Sequence, residues 1–229
     1  MKIGGFQKFS LIDYPGKICA IIFTQGCNYR CGYCHNPELV EPKLFSPLIP
    51  EEEIFSFLEK RKGKLEAVEI TGGEPTLQPD LFEVLRKIKA MGYLTKLDSN
   101  GSNPEVVQKA VGLNLVDYLA MDIKASLGKY RSVVNSNIDL NKINQSIKLI
   151  MNSGLDYEFR TTVVKSQLKK DDILEIGEMI RGAKLYILQR FTPAKTLDPR
   201  FLKEETYPEE EFENFKESLK GYVTKCIIR

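Results

Sequence analysis

The sequence lacks both a long apolar segment and an excess of charge of one sign. Its longest uninterrupted apolar run extends only from Ile18 to Phe23, whereas a helix that crosses a bilayer needs roughly 20 such residues. The 33 Lys and Arg are balanced by 31 Asp and Glu, so charge does not favour a nucleic-acid partner. The first residues contain no apolar core of a signal peptide. We therefore expect a cytoplasmic protein that binds neither a membrane nor nucleic acid.

Cysteine and histidine are scarce, but the cysteines are clustered. The chain has 5 Cys and 1 His among its 229 residues, and three of the cysteines are Cys27, Cys31 and Cys34. An odd, clustered set is unlike the disulfide framework of a secreted protein and indicates a metal-binding or redox-active loop. Cys19 and Cys226 stand alone, and we expect both to be small apolar residues of strands.

Short apolar segments alternate with segments of helical spacing, which is typical of repeated βα units. The predicted strands are residues 18–24, 67–71, 93–98, 116–122, 157–164 and 185–191. Prolines mark the predicted helix starts (Pro50, Pro79, Pro104 and Pro208) and glycines the predicted ends (Gly63, Gly92, Gly112, Gly154, Gly182 and Gly221). Such units predict a parallel sheet with right-handed crossovers, either partly closed into a barrel or open and doubly wound. Residues 222–228 could add a further strand or cover the base of a barrel.

Residues with unusual chemistry follow these strands. The cysteines follow the first predicted strand, and Gly72, Gly73 and Glu74 follow the second. Asp98 and Asn100 lie at the end of the third strand, and Asp122 and Lys124 at the end of the fourth. Arg160 lies within the fifth strand and Gln189 at the end of the sixth. Because ligands gather at the carboxyl ends of parallel strands, we expect these residues along one rim of the sheet.

The cysteine loop, residues 26–36, offers three thiolates and no fourth cysteine nearby. Structural zinc normally has four protein ligands, and His35 directly follows Cys34, which makes it a poor fourth ligand. A [4Fe–4S] cluster usually takes four cysteines, so three would leave one iron open to a substrate. The alternatives are a degraded zinc site and an electron-transfer loop.

The spacing Cys27-x3-Cys31-x-Tyr33-Cys34 resembles the signature of the radical S-adenosylmethionine superfamily. Three further segments are similar to the proteins of that superfamily that activate glycyl-radical enzymes: Asp13-Tyr14-Pro15-Gly16, Tyr33-Cys34-His35-Asn36 and Gly72-Gly73-Glu74-Pro75. Leu97-Asp98-Ser99-Asn100-Gly101 and Met121-Asp122-Ile123-Lys124 most resemble the activating proteins of anaerobic ribonucleoside-triphosphate reductase, and pyruvate formate-lyase activating enzymes somewhat less. The resemblance extends from about residue 6 to residue 189.

This resemblance implies a partial (β/α)6 TIM-like barrel in one domain, residues 1–229, with a core of about 16–191 and a C-terminal extension of 192–229. It implies a [4Fe–4S] cluster on Cys27, Cys31 and Cys34, with S-adenosylmethionine bound at the open iron. Reductive cleavage would give a 5′-deoxyadenosyl radical that takes a hydrogen atom from a backbone glycine of the partner enzyme. The electron donor would be a flavodoxin- or ferredoxin-type protein.

The resemblance also implies roles for the remaining residues. Gly72, Gly73 and Glu74 would contact the amino group of the methionine moiety of S-adenosylmethionine. Asp98 and Asn100 would contact its ribose and methionine ends. Arg160 would bind its carboxylate, and Lys124 would bind either the carboxylate or the ribose. Asp98 and Asp122 could flank a monovalent cation. Tyr33 would pack on the adenine, His35 would shape the pocket, and Gln189 stands where a related enzyme has histidine, which leaves the adenine contact open.

The substrate is expected to be a protein. About 38 residues follow the sixth predicted strand, too few for a capping domain of the usual size, and a polypeptide loop could enter past Arg190, Thr192, Lys195 and Arg200. The partner is expected to be anaerobic ribonucleoside-triphosphate reductase. The alternatives are another glycyl-radical enzyme of the pyruvate formate-lyase type, a small-molecule substrate, and a non-enzymatic iron–sulfur carrier or zinc module.

Overall fold

The computed structural model describes all 229 residues, which form two compact units. The first consists of Met1–Asn28, Glu38–Ser99 and Glu105–Leu119, and the second of Tyr29–Pro37, Asn100–Pro104 and Ala120–Arg229.

The strands are β1 (Ile3–Ser10), β2 (Cys19–Thr24), β3 (Ala67–Gly72), β4 (Leu94–Ser99), β5 (Tyr118–Asp122), β6 (Asp156–Val163), β7 (Tyr186–Arg190) and β8 (Cys226–Ile228). The α-helices are α1 (Pro37–Val40), α2 (Glu51–Lys60), α3 (Leu81–Ala90), α4 (Pro104–Gly112), α5 (Tyr130–Val134), α6 (Leu140–Met151), α7 (Lys170–Met179) and α8 (Glu209–Ser218). Three short 3₁₀ helices span Pro42–Leu44, Pro75–Leu77 and Pro199–Lys203.

The first unit is built on strands β1 to β4, which lie side by side in chain order. β1 is antiparallel to β2, whereas β2, β3 and β4 are parallel. Helix α3 buries Leu81, Val84, Leu85 and Ile88 on the face that their spacing predicts. The carboxyl ends of β2, β3 and β4 therefore lie side by side, as predicted for the residues of this unit that follow those strands.

The second unit has β6, β7 and β8 in parallel. Helix α6 begins after Asp139, whose carboxylate accepts a hydrogen bond from the amide of Asn141, and it buries Ile143, Ile147 and Ile150. Helix α8 buries Phe212 and Phe215. Pairing of β8 with β7 shows that part of residues 222–228 forms a further strand.

The six predicted strands are all present, with bounds that differ by at most two residues. The largest shift is at β5, which begins at Tyr118 instead of residue 116. The Asp117 side chain accepts a hydrogen bond from the amide of Thr95, so a carboxylate takes the place of a ladder carbonyl there. Strand β1 was not predicted, because its glycines and mixed polar residues weaken the strand pattern.

The helix boundaries follow most of the predicted punctuation. Pro104 is the first residue of α4, and Pro50 and Pro208 directly precede α2 and α8. Gly112 is an exception, since it ends α4 without a positive φ and Asn114 adopts the left-handed conformation instead, with φ of 55°. An Asn side chain tolerates that conformation better than most residues.

The two isolated cysteines lie in strands, as predicted. Cys19 is buried in β2 among Tyr14, Ile21 and Ala67, and Cys226 lies in β8. Burial raises the pKa of Cys19 to about 11 and that of Cys226 to about 12, so both stay neutral thiols. No helix combines the length and apolar character needed to cross a membrane.

Candidate functional site

The predicted site residues divide between the two units, and each group is described within its own unit. Cys27, Gly72, Gly73, Glu74 and Asp98 belong to the first unit. Cys31, Tyr33, Cys34, His35, Asn100, Asp122, Lys124, Arg160 and Gln189 belong to the second.

In the first unit, the two glycines after β3 are required by a close approach of backbones. A Cβ atom on Gly72 would overlap the backbone of Thr24, and one on Gly73 would overlap the carbonyl of Gly26. The amide of Gly73 donates to Thr24 O at 2.9 Å, and that of Glu74 donates to Gly26 O at 2.8 Å. The segment from Gly72 to Glu74 therefore holds residues 24–26, which precede Cys27. The amides of Gly73 and Glu74 donate to carbonyl groups of the protein itself.

Glu74 is almost completely buried, and its carboxylate is engaged by its own unit. It accepts hydrogen bonds from the amide of Thr76 at 3.1 Å and from the hydroxyl of Ser99 at 3.0 Å. The side chain thus caps the short helix Pro75–Leu77 and ties it to the end of β4. Both of these hydrogen bonds reach Glu74 Oε1, and a contact of this segment with a ligand stays a prediction.

A buried charge cluster surrounds Asp98 and was missed by the sequence analysis. The Lys96 ammonium donates to Asp98 Oδ1 at 2.6 Å and to Glu69 Oε1 at 2.9 Å, and Glu69 and Lys96 are paired in the register of β3 and β4. Burial and the Asp98 carboxylate raise the pKa of Glu69 well above its usual range, against the effect of Lys96. Glu69 and Lys96 are charged residues within otherwise apolar strands, and this pattern, which also singled out Arg160, could have revealed the cluster.

In the second unit, Asp122 at the end of β5 joins two cationic side chains. Arg160 Nε donates to Asp122 Oδ1 at 2.8 Å, and Lys124 Nζ donates to Asp122 Oδ2 at 3.0 Å. Burial alone would raise the pKa of Asp122, but Arg160 and Lys124 outweigh it and hold that pKa well below its usual range. Arg160 therefore has anionic partners within the chain, Asp122 and at 3.6 Å the buried Glu158, and its contact with a ligand carboxylate stays a prediction.

Cys31 and Cys34 form a tight turn next to this charge group. The amide of Cys34 donates to Cys31 O at 3.0 Å. Burial raises the pKa of the Cys31 thiol to about 11, and the Lys124 ammonium opposes that rise. A thiol so placed becomes a thiolate when a cation is bound to it. The donor set therefore fits a bound iron–sulfur cluster.

The aromatic residues of the loop pack on other rings of the second unit. The Tyr33 ring is buried, 6.4 Å from both Phe191 and Phe201 between centroids. His35 stacks on Phe191 at 5.3 Å, and its Nε2 donates to Thr192 O at 2.9 Å. The structure thus shows what orients both rings, and a contact with adenine stays a prediction.

Two weaker candidates also have partners within the second unit. The side-chain oxygen of Asn100 accepts a hydrogen bond from the amide of Ser102 at 3.0 Å. Gln189 Oε1 accepts from Thr162 at 3.4 Å, because the two residues are paired in the register of β6 and β7. Both side chains are oriented by the chain itself, and their ligand contacts stay predictions.

The predicted metal sites depend on the cysteine loop, residues 26–36, because no complete set of metal-ligating side chains is gathered elsewhere in the structure. The structure gathers no set of three or more His, Cys, Asp and Glu side chains that could hold a single metal ion. Asp98 has Lys96 as a cationic partner, and Asp122 has Arg160 and Lys124. A monovalent cation beside the two aspartates stays a prediction.

Comparison with known proteins gives the family. The family model described as the radical SAM superfamily matches residues 21–180. A Methanocaldococcus jannaschii protein with the provisional name glycyl-radical enzyme activating enzyme MJ1227 is 35% identical over 233 residues, which cover 99% of this chain and 95% of that protein. The chain belongs to the radical SAM superfamily, within its glycyl-radical-enzyme activating enzymes. Its three clustered cysteines lie within the residues that the family model matches.

Two further similarities extend this assignment. A pyruvate formate-lyase-activating enzyme of Clostridium pasteurianum is 28% identical over 213 residues, covering 86% of this chain and 83% of that enzyme. The crystal structure of SuiB from Streptococcus suis matches with a TM-score of 0.67 at 15% identity, over 91% of this chain and 48% of that chain. The predicted α/β fold of the radical SAM type is thereby confirmed. The family implies a [4Fe–4S] cluster and S-adenosylmethionine as cofactors, as expected from the cysteine loop.

Proposed function

We propose that this radical SAM enzyme activates anaerobic ribonucleoside-triphosphate reductase by forming a glycyl radical on it. When bound, the cluster on Cys27, Cys31 and Cys34 supplies one electron to S-adenosylmethionine, whose cleavage gives methionine and the radical that removes a hydrogen atom from a partner glycine. The observation that carries this proposal is the placement of Lys124 and Arg160 around Asp122, with Lys124 beside the buried Cys31.

The charges of that group suit the methionine end of S-adenosylmethionine. Lys124 and Arg160 share the Asp122 carboxylate, and Arg160 Nη1 also lies 3.6 Å from the buried carboxylate of Glu158, so two cations are held in a part-buried place by two carboxylates of the chain. A ligand carboxylate placed there forms charge-assisted hydrogen bonds with a guanidinium or ammonium, and these are stronger than neutral ones. Burial works against the Lys124 ammonium, but the Asp122 carboxylate outweighs it and raises the pKa of Lys124 well above the usual range, which keeps it charged.

The choice of partner is supported by the segments around Asp98 and Met121, which most resemble activators of the reductase. A flavodoxin- or ferredoxin-type protein would supply the electron. Two of the four residues proposed to border the partner already have partners in the second unit, since Arg190 pairs with Glu209 and Arg200 with Asp198. The rim is therefore less basic than the sequence suggests.

The test compares two glycyl-radical enzymes under anaerobic conditions. The reduced enzyme with its cluster and S-adenosylmethionine is mixed separately with anaerobic ribonucleoside-triphosphate reductase and with pyruvate formate-lyase, and the glycyl radical is quantified by electron paramagnetic resonance. We expect the radical on the reductase, and none with a Cys31→Ser variant. A radical only on pyruvate formate-lyase would reassign the partner, and 5′-deoxyadenosine formed with a radical on neither would favour a different substrate.

A further inference from the structure

A segment beyond the predicted core crosses the cysteine loop and is fastened to it by backbone hydrogen bonds. We call residues 191–203 the strap. The amide of Leu197 donates to Cys34 O at 3.0 Å, and the amide of Asp198 donates to Gly32 O at 2.9 Å. These bonds lie on either side of Tyr33. The strap thus fixes the backbone of one cluster-binding cysteine and of the residue next to another.

The strap also places an aromatic ring against the loop. Phe201 packs edge-on to Tyr33 with centroids 6.4 Å apart and to Phe191 at 6.5 Å. The ring fills the space where a Cβ atom of residue 32 would stand, so any side chain on Gly32 would overlap it. Gly32 has no positive φ, and glycine is therefore required there by the Phe201 ring and not by the backbone conformation.

Phe201 packs on two buried rings but is itself only partly buried. Phe201 belongs to the short 3₁₀ helix Pro199–Lys203, which has no buried residue. Its neighbour Leu202 is 46% exposed. Truncating Phe201 therefore removes little core packing, whereas it removes the ring that confines the turn from Cys31 to Cys34.

We propose that Phe201 is a positioning residue for the cluster: it acts through Gly32 and Tyr33 to hold the Cys31–Cys34 turn and to keep water and oxygen from the cluster. This inference rests on the proposed function, because it requires a cluster on the loop. A packed side chain excludes small molecules only while the packing is tight, so a cavity in place of the ring would admit them.

The experiment follows the stability of the bound cluster instead of turnover. Wild type, Phe201→Ala and the neighbouring control Leu202→Ala are loaded with iron and sulfide under anaerobic conditions. Each is then exposed to a ferrous-iron chelator and, separately, to air, and the visible absorbance of the cluster is followed with time. We expect several-fold faster loss in Phe201→Ala than in Leu202→Ala, with urea unfolding of the unloaded proteins little changed.

A double substitution tests the contact itself. Gly32→Ala should load little cluster, because its new methyl group meets the Phe201 ring, and the pair Gly32→Ala with Phe201→Ala should load more cluster than Gly32→Ala alone. Equal rates in Phe201→Ala and Leu202→Ala, or no rescue in the double variant, would overturn the inference and leave the proposed function intact. A wild-type protein that assembles no cluster would instead contradict the proposed function, and the inference with it.

Discussion

Gly73 shows at the scale of one residue how the chain shapes the site. It follows β3 and lies against the carbonyl of Gly26. We predict that Gly73→Ala lowers the free energy of unfolding by about 2 kcal/mol, the usual cost of forcing a methyl group into a packed place. Cluster loading should fall as well, because the displaced segment leads into Cys27. Urea unfolding and iron content measure the two effects.

The matched control for this substitution is Gly128→Ala. A Cβ atom on Gly128 would meet nothing within 4 Å, so this variant should unfold like the wild type. If Gly73→Ala were as stable as Gly128→Ala and loaded cluster normally, residues 24–26 would have to move aside freely, and the requirement for glycine at position 73 would be wrong.

The raised pKa of Glu69 leads to a second prediction at the residue scale. A carboxyl whose pKa is higher in the folded protein binds a proton there first, so the folded protein loses stability as the pH rises above about 4. Glu69→Gln cannot ionise and still offers an oxygen to Lys96. We predict that its free energy of unfolding, relative to wild type, increases from about pH 4 to about pH 7, as measured by urea unfolding.

Glu66 supplies the control of opposite sign. Hydrogen bonds from the amide of Ile18 and from Lys17 lower its pKa, so its stabilising effect is present above the usual pKa of glutamate and is lost on acidification. Glu66→Gln should therefore lose stability relative to wild type as the pH rises. Parallel curves for the two variants would mean that Glu69 is ionised in the folded protein.

At the scale of elements, the end of β5 and the middle of β6 are joined by one carboxylate. Asp122→Asn leaves Arg160 and Lys124 without their common anion. We predict a loss of about 2 to 3 kcal/mol in the free energy of unfolding near neutral pH, as for other part-buried ion pairs that lose one member. Because the pKa of Asp122 is lowered, this difference should shrink as the pH falls below about 4.

Asp156→Asn is the comparison for that loss, since Asp156 forms an exposed pair with Lys184 at 3.5 Å. Exposed pairs contribute little, so this variant should unfold almost as the wild type does. Equal effects in the two variants, measured by urea unfolding over the same pH range, would show that Asp122 is not the organising carboxylate of the second unit.

Sequence patterns predict the elements well where packing is regular. The apolar runs of β2 to β7 and the helical spacing of α3, α6 and α8 follow from burial on one or both faces, so the strand bounds could be predicted within two residues and the buried helix faces from their spacing. Strand β1 could not, since its glycines and mixed polar residues have little strand preference. The same holds for the start of β5, which a side chain of the protein decides.

At the scale of the whole molecule, the sequence predicts which residues lie after strands but not what they contact. The cysteine spacing pointed to the superfamily that the comparisons confirm, and three further segments pointed to the activating enzymes within it. Some internal partners could not be predicted because only folding brings them near: Ser99 for Glu74, Thr71 for Asp98 and Asp122 for Arg160. The strap is a similar case, since Phe201 carries no chemistry that marks it in a sequence.

The most direct test of the central claim, that the cysteine loop binds a cluster which acts on S-adenosylmethionine, is a spectrum. The protein is loaded with iron and sulfide without oxygen, reduced, and examined by electron paramagnetic resonance with and without S-adenosylmethionine, and 5′-deoxyadenosine is assayed in the same samples. The account predicts a reduced-cluster signal that S-adenosylmethionine changes, together with 5′-deoxyadenosine. A signal that S-adenosylmethionine leaves unchanged, with no 5′-deoxyadenosine, or tightly bound zinc in place of the cluster, would contradict it.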